Sequence, residues 1–224
     1  LERRITLLEL LERILGQTGI ARVRISSIEL MALSPLLICL VAREPRLAQH
    51  FHVPLQSGCD RILRLMNRRY GAREYAARIL AVREQIPNCG IGADVMVGFP
   101  GETEEDHAAS LRFIESLPFT YLHIFPYSSR PGTPAAAMAG QVNGRVIRER
   151  CQQIRVVMAP KRDAFLAAQV GRALSALTLD ESDEGSRVAL STNYLKVALP
   201  GSHVAPNTIL TVRVVGTGRQ ILFG

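Results

Sequence analysis

Four short apolar runs in this 224-residue chain end in residues that together could hold a polar ligand. Ser26, Ser27 and Glu29 follow the first run, Gln56 and Ser57 the second, Gly98 the third, and Ser128, Ser129 and Arg130 the fourth. Together they offer hydroxyl, amide, carboxylate and guanidinium groups, a set suited to a ligand that carries carboxylate, amine, ribose and base. Singly, each is better explained by helix capping or turn closure. Their recurrence at every run's end points to one shared rim, because in a parallel α/β sheet or barrel ligands sit where strands end and loops begin.

Asp94 interrupts the apolar run Ile91 to Val97. A carboxylate inside such a strand is costly without a cation or donors, so Asp94 either pairs with an arginine across the sheet or orders a site. His52 and His123 each precede a rim loop, where a lone strand histidine is more often a satisfied core residue than a base. His50 and His52 share a face at period two, which would suit a metal pair. No third ligand is evident from spacing, and no metal is assigned to this chain. Cys39, Cys59, Cys89 and Cys151 stand far apart. No pair has the spacing of about two to four residues that lets neighbouring thiolates grip one metal or cluster, so they read as reduced thiols, with Cys59 alone in a rim loop. Gly98-Phe-Pro-Gly101 lacks the spacing and the Lys of a phosphate loop, though it suits close approach of backbone to a ligand.

The elements that position these residues follow from periodicity. Leu1, Ile5, Leu8, Leu11 and Ile14 or Leu15 form a helical stripe, a helix that begins without a cap at Leu1 as in a chain cut upstream. A strand is predicted over Arg22 to Ser26, a helix over Ser34 to Ala42 with Ser34-Pro35 as cap and first position, and a strand over Phe51 to Leu55. Asp60 is expected to cap the next helix, and Gly71 separates it from another carrying Tyr75, Ile79, Val82 and Ile86. Strands at Ile91 to Val97 and Tyr121 to Tyr127 flank a helix opened by a capping box of Thr103 and Asp106. A long helix from about Val146 to Val170 should kink or split at Pro160. Beyond it, β-favouring runs at Ala173 to Leu179, Arg187 to Leu190, Tyr194 to Leu199, Ile209 to Val215 and Gln220 to Phe223, parted by turns at Asp180 to Gly185, Pro200-Gly201 and Gly216 to Gly218, read as a small barrel. The domains expected are 1–170 and 171–224.

Strand-helix alternation over 22–145 implies parallel strands with right-handed crossovers. Four strands do not close a barrel, so either the sheet is open or strands are missing on the N-terminal side. Composition, 47% apolar and 21% charged, excludes a disordered chain. No apolar run approaches the roughly 20 residues of a membrane span, and a cytoplasmic location is expected. The net charge of +7 comes almost wholly from arginine, since Lys161 and Lys196 are the only lysines. Such a surface favours a polyanion, and arginine's ability to stack and to pair bidentately suits RNA.

The segments His50-Phe-His-Val-Pro-Leu-Gln-Ser-Gly58, Leu65-Met-Asn-Arg-Arg-Tyr70, Asp94-Val-Met-Val-Gly-Phe-Pro-Gly-Glu-Thr-Glu-Glu-Asp106 and Tyr121-Leu-His-Ile-Phe-Pro-Tyr-Ser-Ser-Arg-Pro-Gly-Thr-Pro-Ala135 closely resemble the radical S-adenosylmethionine methylthiotransferases. Arg24 to Glu29 and Leu122 to Tyr127 look most like the branch that methylthiolates N6-threonylcarbamoyladenosine in tRNA, and less like those acting on isopentenyladenosine or a ribosomal protein. The resemblance implies an α/β fold, the last four β/α units of a partial (β/α)6 barrel, followed by a small all-β barrel of the TRAM type that binds RNA. It implies S-adenosylmethionine and two 4Fe-4S clusters as cofactors and a tRNA anticodon stem-loop as partner. Ser26, Ser27, Gln56 and Arg130 would make polar contacts to the cofactor, Val97 and Phe125 an adenine wall, and Asp94 would order the site. In Ser191-Thr-Asn-Tyr-Leu-Lys-Val197, Asn193, Tyr194 and Lys196 would meet RNA, the ring stacking on a base beside a neutralised phosphate.

The family's clusters are held by a Cys-x3-Cys-x2-Cys loop and by cysteines of an N-terminal domain, regions this chain lacks. The resemblance therefore implies that in the intact enzyme a reduced cluster cleaves S-adenosylmethionine to a 5′-deoxyadenosyl radical that abstracts hydrogen from C2 of the adenine. Sulfur from the second cluster and a methyl group from a second S-adenosylmethionine follow. This polypeptide alone is expected to be inactive. A rival reading is a tRNA-binding module without catalysis. A hydrolase or isomerase built on Asp94 and the histidines lacks any nucleophile-base spacing.

Overall fold

A computed structural model describes residues 5–183, 186–201, 203–218 and 220–224. The first four residues of the expected N-terminal helix, and Glu184 and Gly185 of the expected turn, lie outside the described residues. Helix α1 (Leu7–Gln17) opens on a capping box, not uncapped at Leu1. The Thr6 hydroxyl accepts from the Glu9 N–H at 3.2 Å, and the Glu9 carboxylate accepts from the Thr6 N–H at 2.9 Å.

The stretch expected as the first strand runs extended but forms no regular ladder. It touches its neighbour at two parallel bridges, Val23 to Leu47 and Ser27 to His52. A short 3-10 turn (Leu30–Ala32) leads to α2 (Pro35–Arg43), where Ser34 caps and Pro35 takes the first position as expected. Then come β1 (His50–His52), α3 (Asp60–Leu65), α4 (Ala72–Gln85), β2 (Gly90–Val97), α5 (Glu104–Ser116) and β3 (Tyr121–Pro126). The strands lie in the order β1-β2-β3, all parallel. Asp60 does not cap α3. It is that helix's first residue, and its carboxylate instead accepts from the Ala72 N–H at 2.7 Å, capping α4, whose own cap Gly71 has no side chain.

Period-two alternation divides the sheet. Phe51, Val53, Leu55, Ile91, Ala93, Val95 and Val97 point to the helices and form the main core with Tyr75, Ile79, Ile114 and the inner face of α7 (Gly144–Ala167). His50, His52, Asp94, Met96, Tyr121 and His123 point the other way. The turn helix α6 (Pro134–Ala137) precedes α7. Pro160 was expected to kink or split α7; it does not split it, and the helix runs through as one element. Pro160 lies on the exposed side, with Val156 one turn before it 62% exposed, so water can meet the carbonyl that the missing N–H leaves free.

The C-terminal strands are β4 (Ala173–Asp183), β5 (Ser186–Ser191), β6 (Lys196–Leu199), β7 (Ile209–Arg213), β8 (Gly216–Thr217) and β9 (Leu222–Phe223), in the order β7-β4-β5-β6-β9-β8. They enclose a second apolar cluster built on Leu174, Ala176, Ala189, Val197, Val212 and Leu222, to which α7 lends Leu166. Two expectations fail here. Strand β4 continues through the expected turn at Asp180 as far as Asp183, its register shifting between Thr178 and Ser182. The expected strand at Tyr194 begins only at Lys196, because Tyr194 sits at φ +69° in a turn. The Ser191 hydroxyl ties that turn by accepting from the Leu195 N–H at 2.9 Å.

Candidate ligand-binding site

The polar face of the parallel sheet carries a cavity of about 300 Å³, walled by Arg24, Ser26 and Ser27 from the bridged stretch, His50 and His52 of β1, Asp94 of β2, Tyr121 and His123 of β3, and Tyr194 from the C-terminal unit. Two glycines in β2 make room for it. A Cβ on Gly92 would stand 2.0 Å from the Tyr121 ring, and one on Gly90 would stand 2.2 Å from the Asn193 carbonyl oxygen. The missing side chains let Tyr121 lie across the strand and let the Thr192–Leu195 turn close the cavity's foot.

A chain of polar contacts crosses the cavity floor. The Tyr121 hydroxyl lies 2.8 Å from His50 Nε2 and 3.0 Å from His52 Nδ1, and His52 Nε2 lies 3.0 Å from Asp94 Oδ1. Burial, then Arg24 and His52 nearby, pushes the His50 pKa down to about 3, so its ring is neutral at pH 7. Burial likewise raises Tyr121, which stays a phenol. When His52 accepts at Nδ1 from the Tyr121 hydroxyl, Tyr121 accepts from His50 Nε2–H, and His52 Nε2 faces Asp94 Oδ1 across 3.0 Å as an ion-pair contact without hydrogen-bond alignment. That assignment leaves buried His50 Nδ1, which has no partner, as a bare lone pair and not an orphaned donor. Asp94 thus pairs with a histidine, where the sequence offered an arginine or a site.

Arg24 donates to the Ser191 carbonyl at 2.7 Å and the Thr192 carbonyl at 3.2 Å, and its guanidinium lies 5.1 Å from the Tyr194 ring centroid. Tyr194 stacks on His50 at 4.3 Å between centroids and tilts against Tyr121 at 5.3 Å. The residues expected to meet RNA are therefore engaged within the chain. Asn193 is buried, its amide accepting from Ser191 Oγ at 2.6 Å and donating to Gln169 at 3.2 Å. Lys196 pairs with Glu181 at 2.5 Å on the surface.

Of the expected cofactor contacts, Ser26, Ser27 and Asp94 share this cavity. Gln56 lines a second, mostly apolar cavity of about 320 Å³ with Met66, Met96, Phe99 and Met138. Gln56 is re-aimed by a bulge, since the N–H groups of Leu55 and Gln56 both donate to the Asp94 carbonyl and Gln56 sits at φ +66°. Phe125 lies half-exposed at the end of β3, and Arg130 is exposed in the following loop. Val97 is brought to neither cavity. It faces the helices and is 1% exposed.

Sequence reasoning missed Tyr121 and Arg24, and it did not join the histidines to Asp94. The available signal was the alternation Tyr121-x-His123-x-Phe125 beside His50-x-His52, with Gly90-x-Gly92 between them. It also missed the anchor of the Gly98–Gly101 turn, where buried Glu102 accepts from the Gly98 N–H at 3.2 Å and from Arg150 of α7 at 2.7 Å. The four cysteines are free, Cys89 and Cys151 buried, and among the described residues no three of them meet.

A family model described as the Radical SAM superfamily matches residues 3–114. The chain is 36% identical over 192 residues to threonylcarbamoyladenosine tRNA methylthiotransferase MtaB of Aquifex aeolicus, an alignment covering 86% of this chain and 46% of that protein. It is 33% identical over 205 residues to the protein of the same name from Bacillus subtilis, covering 89% and 45%. To the tRNA-2-methylthio-N(6)-dimethylallyladenosine synthase of Thermobifida fusca it is 42% identical over 162 residues, covering 72% and 33%. The chain spans less than half the length of these relatives. No helix among the described residues is long and apolar enough to cross a membrane.

Proposed function

This chain belongs to the radical SAM superfamily, and from that premise we propose that it is the ligand-facing part of a tRNA methylthiotransferase acting on N6-threonylcarbamoyladenosine in the anticodon loop. The observation that carries the reading is the polar face of the parallel sheet, two successive cavities with charged groups and hydroxyls in one and an apolar lining in the other. S-adenosylmethionine has the same division, an amino-acid end and sulfonium joined to a nucleoside. The donor set fits it: Ser26 and Ser27 offer hydroxyls to its polar end, Asp94 a carboxylate to its cationic groups, and Gln56 with Phe99 a bulged amide and a ring to its adenosine. Phe125 lies beside His123 on the same face, Arg130 stands exposed in the loop beyond β3 and lines neither cavity, and Val97 is left out because its side chain belongs to the core.

Iron-sulfur clusters do not fit the thiols present. Cys89 is buried and pushed up to about 12, Cys151 is buried and raised, and no three thiols converge among the described residues. Reductive cleavage is therefore not assigned to this chain's residues, and we propose that the chain alone is inactive. Residues 171–224 are proposed as a TRAM-like RNA-binding unit following a 1–170 partial-barrel unit. The arginine-rich charge of +7 supports an RNA partner.

Two measurements test the reading. Calorimetry with S-adenosylmethionine should show binding that the Ser26→Ala/Ser27→Ala double variant weakens. Fluorescence anisotropy with a labelled anticodon stem-loop should show binding that weakens steeply with salt. RNA binding without S-adenosylmethionine binding would replace the proposal with a tRNA-binding module, and absence of both would remove it.

A further inference from the structure

We propose that His52, Asp94 and His123 form a site for one divalent first-row transition-metal ion, with open coordination positions facing the cavity. One ligand atom from each residue lies within 4.8 Å of the other two. His52 Nε2 and Asp94 Oδ1 already stand 3.0 Å apart, close to the roughly 3.0–3.4 Å between two donors about 2.1 Å from a shared octahedral or tetrahedral ion. His123 lies directly across from Asp94 in the β2–β3 register, so the three ligands project from adjacent parallel strands and not from loops. Spacing along the chain offered only the pair His50 and His52. Of that pair only His52 is a ligand, and the other two, Asp94 and His123, come from the neighbouring strands.

A second observation supports the site independently of the ligand count. A metal-bound histidine ordinarily donates its other ring N–H to a fixed partner, which sets the tautomer. Here the Tyr121 hydroxyl is 3.0 Å from His52 Nδ1 and holds Nε2 toward Asp94 and the cavity. With an ion on Nε2, the His52 proton moves to Nδ1 and is accepted by Tyr121 Oη, which continues to accept from His50 Nε2 while its own proton turns to the cavity. His50 is the support of that arrangement and not a ligand. Two imidazoles and one carboxylate, with no thiolate, select an ion of the zinc, cobalt or ferrous type, and three protein ligands leave positions for water or a substrate donor. The site shares Asp94 with the proposed S-adenosylmethionine contact, so the ion and the cofactor's cationic end would compete for that carboxylate. Ion binding is measured with no nucleoside or RNA present, so its failure leaves the methylthiotransferase reading standing.

The test is a cobalt(II) titration of the metal-free 224-residue chain, followed by visible absorption and calorimetry. One equivalent should bind with a spectrum of nitrogen and oxygen ligation. His123 is exposed, and its side chain makes only ring contacts, with His52, Tyr121 and Phe125, so His123→Ala should keep the fold and weaken binding by at least about tenfold. Tyr121→Phe, which removes the hydroxyl shared by His52 and its support His50, should weaken it by about 10- to 100-fold. His203→Ala should leave binding unchanged. The proposal is overturned by no binding up to millimolar cobalt, by equal affinity in His123→Ala, or by thiolate charge-transfer bands that vanish in Cys59→Ala.

Discussion

The two faces of the parallel sheet use the same three strands for opposite ends. On the helix side, Phe51, Val53, Leu55, Ile91, Ala93, Val95 and Val97 are all 0–1% exposed and carry no polar atom beyond the backbone. On the other side, His50, His52, Gly90, Gly92, Asp94, Tyr121 and His123 surround an open cavity, with Tyr121 hydrogen-bonded to both His50 and His52 and Asp94 paired with His52. The first face gains from burial and is indifferent to chemistry. The second gives up apolar burial for groups that must be paired, a choice that makes sense where a ligand completes the pairing.

Substitution should separate the faces sharply. Phe51→Ala, in the helix-side core, should lower stability by about 3–5 kcal/mol in urea unfolding. Asp94→Asn on the opposite face should lower it by no more than about 1 kcal/mol while reducing cobalt or S-adenosylmethionine binding. Equal losses of stability would mean that the polar face is part of the scaffold. Gly92→Ala comes next, because the new Cβ meets the Tyr121 ring at 2.0 Å. It should cost about 1–3 kcal/mol through overpacking and also displace the ring that holds His52.

How much of this was readable in the sequence depended on the range of the interaction. Ser34-Pro35 and the Thr103/Asp106 box could be read because a cap is decided within three residues. Asp60 was misread because its carboxylate serves a helix start twelve residues on, an outcome fixed only when α3 and α4 come together. The rim hydroxyls of Ser26 and Ser27 were found as strand-end residues, whereas Tyr121 and Arg24 were not, since their roles arise from register between parallel strands and from contact with the C-terminal unit. Tyr194 misled in the same way. Its β-favouring neighbours suggested a strand, but the Ser191 hydroxyl turns the chain there and the ring stacks on His50.

That turn is where the polar face meets the second unit, and its contribution should be smaller. Tyr194→Ala removes two ring contacts and the face over which Arg24 lies, a loss of about 0.5–1.5 kcal/mol beyond the buried area itself. If the ring serves the cavity, His50 should become more exposed in the variant, seen as a shift of its ring protons in NMR. An unchanged His50 environment would assign Tyr194 to the C-terminal unit alone.

The smallest effect concerns acid sensitivity, and it should arise on the helix side. Asp106 at the start of α5 is held well below the usual carboxylate range, first by the Arg61 guanidinium, then by the N–H and hydroxyl of Thr103 and the Cys59 thiol. Because its pKa is depressed in the folded chain, the unfolded chain binds the proton first as pH falls. Its stabilisation is then complete above the unfolded value near 3.8 and is lost as pH drops toward the folded one. Asp106→Asn should therefore lower the urea midpoint at pH 7, and the gap from the parent chain should narrow by pH 3. A gap that stays constant between those pH values would mean that Asp106 acts through packing and cap geometry alone, with its charge contributing nothing.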